Sequence, residues 1–236
     1  SEHLDFHGDM ESYFNSKLQL FKGLSNSKTA VVNMDDSYSD RICSATTAKL
    51  ITYGMSNNAN LSPVQSEFSF QGIKAVLQYG KTTISVDTLL IGEYNLSNIM
   101  AAVAVGLTME IPAEKIEPAL KSLPPIPGRL EHIPCECPGK VFVDYAHTPD
   151  AYEKLFSNLT NLAGEEVNIL VVFGCGGDRD AGKRKDLASI AEKYTSFSYI
   201  TMDNPRTESL DKIIADITQG FKDNNYEVIP DREKAI

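Results

Sequence analysis

The sequence predicts an α/β protein of two domains, the second built on a mostly parallel sheet. After a proline-rich break at 124–128, short apolar strands alternate with amphipathic helices, which is the pattern of a parallel sheet covered by helices. The strand predicted at 168–173 is unbroken in its apolar character, as expected when both faces are covered. A length of 236 residues, 42% of them hydrophobic, suffices for two domains with cores.

The first predicted domain, 1–127, mixes helices with strands. Met10, Phe14 and Phe21 share one helical face, and alternating apolar residues end at a hairpin turn at Gly80 and Lys81. A helix rich in small residues follows, and Pro112 lies near the first turn of the next one. We predict helices over 9–24, 95–107 and 112–123, a strand over 29–33, and strands within 48–91.

The second predicted domain, 128–236, alternates strand and helix without internal repeats. The expected strands are 141–143, 168–173, 198–201 and 226–229, and the expected helices are 149–162, 182–194 and 210–222, with the start of another helix at the end of the sequence. Such alternation predicts a parallel sheet with helices on both sides.

Composition excludes several classes of protein. The net charge of −10 argues against a nucleic-acid-binding surface, which is basic. No apolar run approaches the ~20 residues of a membrane span, so we expect no membrane insertion. We expect the four cysteines to be reduced thiols of a cytoplasmic protein, because Cys135-x-Cys137 lacks the spacing of a zinc or redox pair.

Polar residues follow three of the predicted strands, at 144–149, 174–184 and 203–206. Any one of them could be a capped turn, but the carboxyl ends of parallel strands share one sheet edge, where ligands bind. Arg179 stands where a dinucleotide fingerprint needs its third glycine. Together with Lys183 and Arg184, Arg179 instead predicts a pocket for a ligand that bears carboxylates.

The beginning of the sequence holds a possible metal site. His3-x-Asp5-x-His7 has suitable residue types, although solvated loop residues are the ordinary interpretation. Lys17 in the following helix is ordinarily a lysine that lays its stem on an apolar face.

Taken in order, these motifs resemble the Mur ligase family over nearly the whole chain. His3 to Met10 with Lys17, Asn33 with Asp35 and Asp36, and residues 92–98 are similar to the central domain. The segments 128–131, 144–149, 174–184 and 203–206 are similar to the carboxyl-terminal domain. The resemblance implies part of a central ATPase domain followed by a Rossmann-like domain with a mostly parallel sheet.

The activity that the resemblance implies is ATP-dependent amide-bond formation in peptidoglycan biosynthesis. The ligase would add meso-diaminopimelate to UDP-MurNAc-L-Ala-D-Glu through an acyl phosphate, with ATP and Mg²⁺, as a cytoplasmic monomer. His3 and a carbamylated Lys17 would ligate Mg²⁺, since a carbamate supplies the oxygen ligands that this ion prefers. Lys17 and Arg129 would be the catalytic residues. ATP would contact Asn95, Asn98, Arg129, Asp144 and His147.

The resemblance also implies the amino-acid site, at Arg179, Asp203, Asn204 and Arg206. The Asp-Asn-Pro-Arg form is associated with meso-diaminopimelate, and lysine-adding relatives carry another residue at the position of Arg206. Diaminopimelate has one more carboxylate than lysine, which an arginine fork can pair.

Two departures from the family pattern matter. The sequence holds no Gly-x-x-Gly-Lys-Thr phosphate loop, and it stops before the family's last diaminopimelate contacts. We therefore expect this chain by itself to hydrolyse no ATP. The alternatives are a lysine-adding Mur ligase, a folylpolyglutamate synthase and a non-catalytic ligand-binding module; a metallohydrolase built on His3-x-Asp5-x-His7 lacks further histidine ligands at a suitable spacing.

Overall fold

The computed structural model of the chain describes residues 9–164 and 167–236. These residues separate into two compact units, one that ends at Tyr145 and one that runs from Ala146 to Ile236. The predicted domain boundary at 127/128 stays a prediction. Within the described ranges, no helix is both long and apolar enough to span a bilayer.

The first unit contains a five-stranded sheet with the strands in sequential order β1-β2-β3-β4-β5. Strands β1 to β3 pair in parallel, and β3 to β5 pair antiparallel. Its elements are α1 (Met10–Lys22), β1 (Thr29–Asn33), α2 (Ser39–Ala45), β2 (Lys49–Tyr53), β3 (Leu61–Ser69), β4 (Gly72–Tyr79), β5 (Thr82–Thr88), α3 (Glu93–Thr108), α4 (Ala113–Lys121), β6 (Glu131–Ile133) and β7 (Val141–Val143).

Alternation along the antiparallel strands builds the core of this unit. In β5 the buried side chains alternate with exposed ones, so that Ile84 and Val86 face the core. Helix α3 packs there with an almost continuous apolar surface that includes Met100 and Val103. The predicted elements of this half are confirmed. Helix α2 was missed, because it is only seven residues long and has a single buried residue, Ser39.

The second unit contains a three-stranded parallel sheet in the order β10-β9-β8. Its elements are α5 (Pro149–Ala163), β8 (Leu170–Phe173), α6 (Gly182–Tyr194), β9 (Phe197–Ile200), α7 (Leu210–Thr218), β10 (Tyr226–Val228) and α8 (Arg232–Ala235). Helix α5 begins where Thr148 accepts a hydrogen bond from the Ala151 N–H and Pro149 occupies the first turn. The predicted α/β fold with a mostly parallel sheet is confirmed.

Two sequence-based expectations are wrong. Strand β7 pairs antiparallel with β6 and does not join the parallel sheet of the second unit, so only two of the three polar strand ends share one sheet edge. A three-residue strand satisfies its backbone hydrogen bonds in a local hairpin without needing a distant partner.

The second wrong expectation concerns two of the cysteines. The connection of the β6–β7 hairpin brings the Cα atoms of Cys135 and Cys137 within 5.3 Å, and the two residues are joined by a disulfide, so they are not free thiols.

In the second unit, the loop after β8 lies directly on the loop after β9. A Cβ at Gly177 would stand 1.9 Å from the Pro205 carbonyl oxygen, and one at Gly174 would stand 2.3 Å from the Thr201 carbonyl oxygen. These approaches leave no room for a side chain, so glycine is required at both positions for steric reasons. The two loops therefore meet backbone to backbone.

This contact predicts a strong effect of Gly177→Ala. The new methyl group would force apart two backbone segments, so the free energy of unfolding should fall by about 2 kcal/mol or more. The control is Gly139→Ala, because a Cβ at Gly139 meets nothing within 4 Å. Urea unfolding followed by circular dichroism measures both variants. Equal losses in the two variants would show that the loops are not in backbone contact.

The end of α3 predicts a stabilising change. Glu110 has a left-handed backbone with φ of 58°, and the next N–H, that of Ile111, donates to the Gly106 carbonyl oxygen at 3.1 Å. Glycine adopts this conformation without the cost that other residues incur, so Glu110→Gly should raise the free energy of unfolding by about 0.5 kcal/mol. Glu114→Gly, in the first turn of α4, should lower it by about 0.5 kcal/mol. A loss in both variants would contradict the expected relief of strain.

Candidate functional site

The start of α3 places the two asparagines predicted to meet ATP in different environments. Asn95 is buried, and its Nδ2 donates to the Ile91 carbonyl oxygen at 2.8 Å. Asn98 is exposed, and its Nδ2 donates to Asn95 Oδ1 at 3.4 Å. Asn95 therefore fixes the entry to the helix, and Asn98 is the one that a ligand in solvent can reach. Their contact with ATP stays a prediction.

Arg129 lies in a turn whose backbone is fixed by two carboxylates. Glu131 accepts a hydrogen bond from the Gly128 N–H at 2.8 Å, and Asp144 accepts one from the Leu130 N–H at 2.7 Å. The side chain of Arg129 is exposed, with its guanidinium carbon 5.7 Å from the centre of the Tyr145 ring. An exposed guanidinium on a fixed backbone is suited to an anionic ligand.

Tyr94 lies in the first turn of α3 and is close enough to Asp144 and Arg129 for their charges to act on it. Its hydroxyl oxygen is buried and has no hydrogen-bond partner among the described residues. Burial strongly raises the pKa of Tyr94, Asp144 raises it further, and Arg129 lowers it. The phenol is thus a neutral donor near two residues predicted to bind ATP. Sequence reasoning missed it, although it stands beside Asn95 in the motif.

Arg129 also borders a cleft of about 460 Å³. Lys140 lies on the same wall, with its ammonium 5.8 Å from the centre of the Phe70 ring. His132 contributes a third side chain that can carry positive charge. None of the described residues that line the cleft is acidic, so its charge favours an anion.

In the second unit, the loops after β8 and β9 are joined by a set of hydrogen bonds. The Gly177 N–H donates to the Asn204 carbonyl oxygen at 2.8 Å, and Arg206 Nη1 donates to the Gly177 carbonyl oxygen at 2.6 Å. The Thr207 N–H donates to Asp178 Oδ2 at 3.0 Å. Asp178 and Arg206 both have left-handed backbones, which costs about 1 kcal/mol or more each, so these bonds hold a strained arrangement.

Three of the four predicted amino-acid contacts lie together in this assembly. Asp203 accepts a hydrogen bond from Arg232 at 3.0 Å, and Asn204 Oδ1 accepts one from the Arg206 N–H at 3.3 Å. Arg206 is exposed, so its remaining N–H groups can still donate to a ligand. Arg179, also exposed, lies in the opposite loop. Their role as substrate contacts stays a prediction.

Arg184 does not belong to the carboxylate pocket that the sequence predicted. It is fully buried, and it pairs with Glu208 at 2.7 Å and with Asp216 at 2.8 Å. Its Nη2 also donates to the Gly176 carbonyl oxygen at 3.1 Å. The guanidinium is therefore engaged inside the protein. Its acidic partners lie 24 and 32 residues along the chain, a distance that motif reading does not bridge.

Three predicted site residues remain: Lys17, His147 and His3. Lys17 is exposed on α1, with its ammonium 5.5 Å from the centre of the Tyr13 ring. His147 is exposed next to the cap of α5. His3, with the rest of His3-x-Asp5-x-His7, falls outside the described residues. The roles predicted for these residues stay predictions.

The resemblance implies a magnesium ion, which prefers oxygen ligands. Over 9–164 and 167–236, no group of three or more His, Cys, Asp or Glu residues could hold a metal. Lys17 becomes an oxygen ligand only as a carbamate. The described residues thus do not by themselves form a magnesium site.

The thiol of Cys175 is not suited to nucleophilic chemistry, because burial raises the pKa of Cys175 to about 11.

Two family models match the chain. Residues 1–106 match the Mur ligase middle domain, and residues 128–236 match the Mur ligase glutamate ligase domain. Among curated proteins, the UDP-N-acetylmuramoyl-L-alanyl-D-glutamate–2,6-diaminopimelate ligase of Chlamydia pneumoniae is 38% identical over 239 residues. The alignment covers 100% of this chain and 48% of that protein.

Solved structures give the same result. A structure of a UDP-N-acetylmuramoyl-L-alanyl-D-glutamate–2,6-diaminopimelate ligase superposes with a TM-score of 0.62 at 31% identity, covering 100% of this chain and 49% of that one. Folylpolyglutamate synthase of Mycobacterium tuberculosis, complexed with ADP and AMPPCP, shares the fold, with a TM-score of 0.72 at 18% identity over 88% of this chain and 46% of that one. The chain thus spans about half the length of the curated relatives it matches. It belongs to the Mur ligase family and carries the family's middle and glutamate ligase domains.

Proposed function

We propose that the protein to which this chain belongs is an ATP-dependent ligase that adds meso-diaminopimelate to UDP-MurNAc-L-Ala-D-Glu in peptidoglycan biosynthesis. The similarity to ligases named for this reaction supports the proposal. The observation that carries it is Arg206, an exposed arginine whose backbone and side chain are both fixed at the edge of the parallel sheet. We place the reaction in the cytoplasm, where ATP is available.

The residues of the first unit would serve the nucleotide. Asn98 would contact the base, Arg129 would pair with phosphate oxygens, and Asp144 would keep the turn of Arg129 in place. Tyr94, whose hydroxyl is buried without a partner among the described residues, has a donor to offer in the same region. In the reaction implied by the family, the glutamyl carboxylate is activated as an acyl phosphate at the expense of ATP, and the amine of diaminopimelate then displaces phosphate.

The residues of the second unit would serve the amino acid. Arg206 and Arg179 would bind carboxylates, and Asp203 would face an ammonium group. The ordinary alternative for Arg206 is an ion pair with Glu208, but Glu208 instead pairs with Arg184 and Lys212. Arg206 thus keeps donors for a ligand. Meso-diaminopimelate supplies the additional carboxylate that lysine lacks, and so the site favours the former.

Two alternatives remain distinguishable. A lysine-adding ligase or a folylpolyglutamate synthase would show ADP release that depends on lysine or glutamate instead of meso-diaminopimelate. A non-catalytic binding module would release no ADP with any amino acid. The exposed Arg129, beside a cleft with no acidic lining residue in the described chain, favours an enzyme that handles phosphate over a module that binds an amino acid only.

The proposal predicts that Arg206 selects the substrate. In the protein that carries this chain together with a phosphate loop, Arg206→Ala leaves one ligand carboxylate without its partner. This should cost about 2–4 kcal/mol, a fall of about 30-fold to 1,000-fold in kcat/KM for meso-diaminopimelate. The KM for ATP should change by less than about twofold. Amino-acid-dependent ADP release measures both quantities.

The matched control is Arg41→Ala, which removes an exposed arginine of α2 that pairs with Glu11. Its kinetics should stay close to those of the unchanged protein, because surface ion pairs contribute about 1 kcal/mol at most and this one lies in neither candidate site. If Arg206→Ala lowers the efficiencies for lysine and meso-diaminopimelate equally, or lowers neither, then Arg206 does not determine selectivity.

A further inference from the structure

Arg184 is the most completely enclosed charged side chain among the described residues. Its guanidinium binds Glu208 through two nitrogens, at 2.7 and 2.9 Å, in the bidentate geometry that arginine offers a carboxylate. Asp216 accepts from Nη1 at 2.8 Å, and the Gly176 carbonyl oxygen accepts from Nη2 at 3.1 Å. One side chain thus contacts the loop after β8, the loop after β9 and the body of α7.

Glu208, in the loop after β9, makes a second bond to the loop after β8. Its Oε2 accepts a hydrogen bond from the Asp178 N–H at 3.1 Å, and Lys212 lies 3.2 Å from its Oε1. The hydrogen bond with Arg184 is the main cause that lowers the pKa of Glu208 to about 2. The carboxylate is therefore charged at any pH at which the protein works, so the cluster is permanent.

In the loop after β8, Gly176 and Gly177 have no side chains with which to hold their positions, whereas Asp178 binds Thr207 with its carboxylate. Gly176 and Gly177 are fixed by their backbone atoms alone: the Gly176 carbonyl by Arg184, and Gly177 by Asn204 and Arg206. Arg206 Nη1 donates to the Gly177 carbonyl oxygen at 2.6 Å, so a shift of this loop moves the acceptor that holds the Arg206 guanidinium. The position of Arg206 thus depends on the bond that Arg184 makes.

We propose that Arg184 is a positioning residue for the amino-acid substrate: it contacts no substrate, but by binding Gly176 and Glu208 it sets the separation of the loops that carry Arg179 and Arg206. This assignment rests on the proposed function for the identity of the ligand. A merely structural ion cluster would stabilise the second unit without affecting substrate recognition. The two roles differ in their kinetic consequences.

The test is Arg184→Lys in the protein that carries this chain together with a phosphate loop, assayed well below the melting temperature of the variant. An ammonium group cannot hold Glu208 in bidentate form together with Asp216 and the Gly176 carbonyl. The KM for meso-diaminopimelate should rise by about tenfold or more, while kcat and the KM for ATP change by less than about twofold. If the lysine variant does not fold, Glu208→Gln, which keeps the shape but removes the charge, should raise the same KM by a smaller factor.

The matched control is Ile217→Ala in α7, next to Asp216. Ile217 is fully buried in the apolar core, and an isoleucine side chain has no polar atom with which to join the two loops. Its loss should therefore lower the melting temperature and leave the hydrogen bonds between the loops in place. Its KM for meso-diaminopimelate should stay within about twofold of the unchanged protein. If Ile217→Ala raises this KM as much as Arg184→Lys does, or if Arg184→Lys leaves it unchanged, the positioning role is overturned.

A second readout needs no substrate. In the 236-residue chain, hydrogen exchange at the Gly177 and Thr207 amides reports the bonds between the loops. Arg184→Lys should speed both by about tenfold or more, while the Thr201 amide, bonded to the Phe173 carbonyl, stays unchanged. If exchange responds but the unchanged protein does not use meso-diaminopimelate, the proposed function fails and the positioning claim stands. If exchange does not respond, the positioning claim fails.

Discussion

The arrangement of the second unit depends on one buried ion cluster, formed by Arg184 with Glu208 and Asp216. Removing a guanidinium from water is costly, and here two carboxylates and a backbone carbonyl offset that cost. The compensation is incomplete, because Arg184 Nε is buried without a partner in the described chain. Such clusters contribute little net stability compared with apolar packing. Here the bonds of Arg184 join the loops after β8 and β9 to α7, which is a defined geometry. That geometry includes the separation of the two loops that carry Arg179 and Arg206, the arginines proposed to bind the amino-acid substrate.

Both units use acidic side chains to fix the backbone and leave arginines exposed. In the first unit, Glu131 and Asp144 accept hydrogen bonds from the turn that carries Arg129. In the second unit, Asp178 accepts a hydrogen bond from the N–H of Thr207, the residue that follows Arg206. Acidic residues used in this way repel an anionic ligand less than free carboxylates do, because backbone N–H donors stabilise part of their charge. A chain with a net charge of −10 can therefore bind phosphates and carboxylates at local cationic points.

Sequence reasoning succeeded where local patterns determine structure. The amphipathic face of α1, the small residues of α3 and the apolar run of β8 are local patterns, and these elements were predicted correctly. Sequence reasoning failed where the structure depends on pairing between residues that are far apart in the chain. Strand β7 was assigned to the parallel sheet but pairs with β6, and Arg184 was assigned to the ligand pocket but pairs with residues far along the chain. Tyr94 went unnoticed because burial is not readable from a motif.

The most direct test of the central role of Arg184 is a double-mutant cycle on thermal stability. Arg184→Met alone should lower the melting temperature strongly, because Glu208 and Asp216 would then face each other without the shared cation. Adding Glu208→Leu removes one of these charges, so the double variant should melt at a higher temperature than Arg184→Met alone. If the two losses in melting temperature simply add, Arg184 and Glu208 do not act as a unit, and the cluster does not determine how the loops are placed.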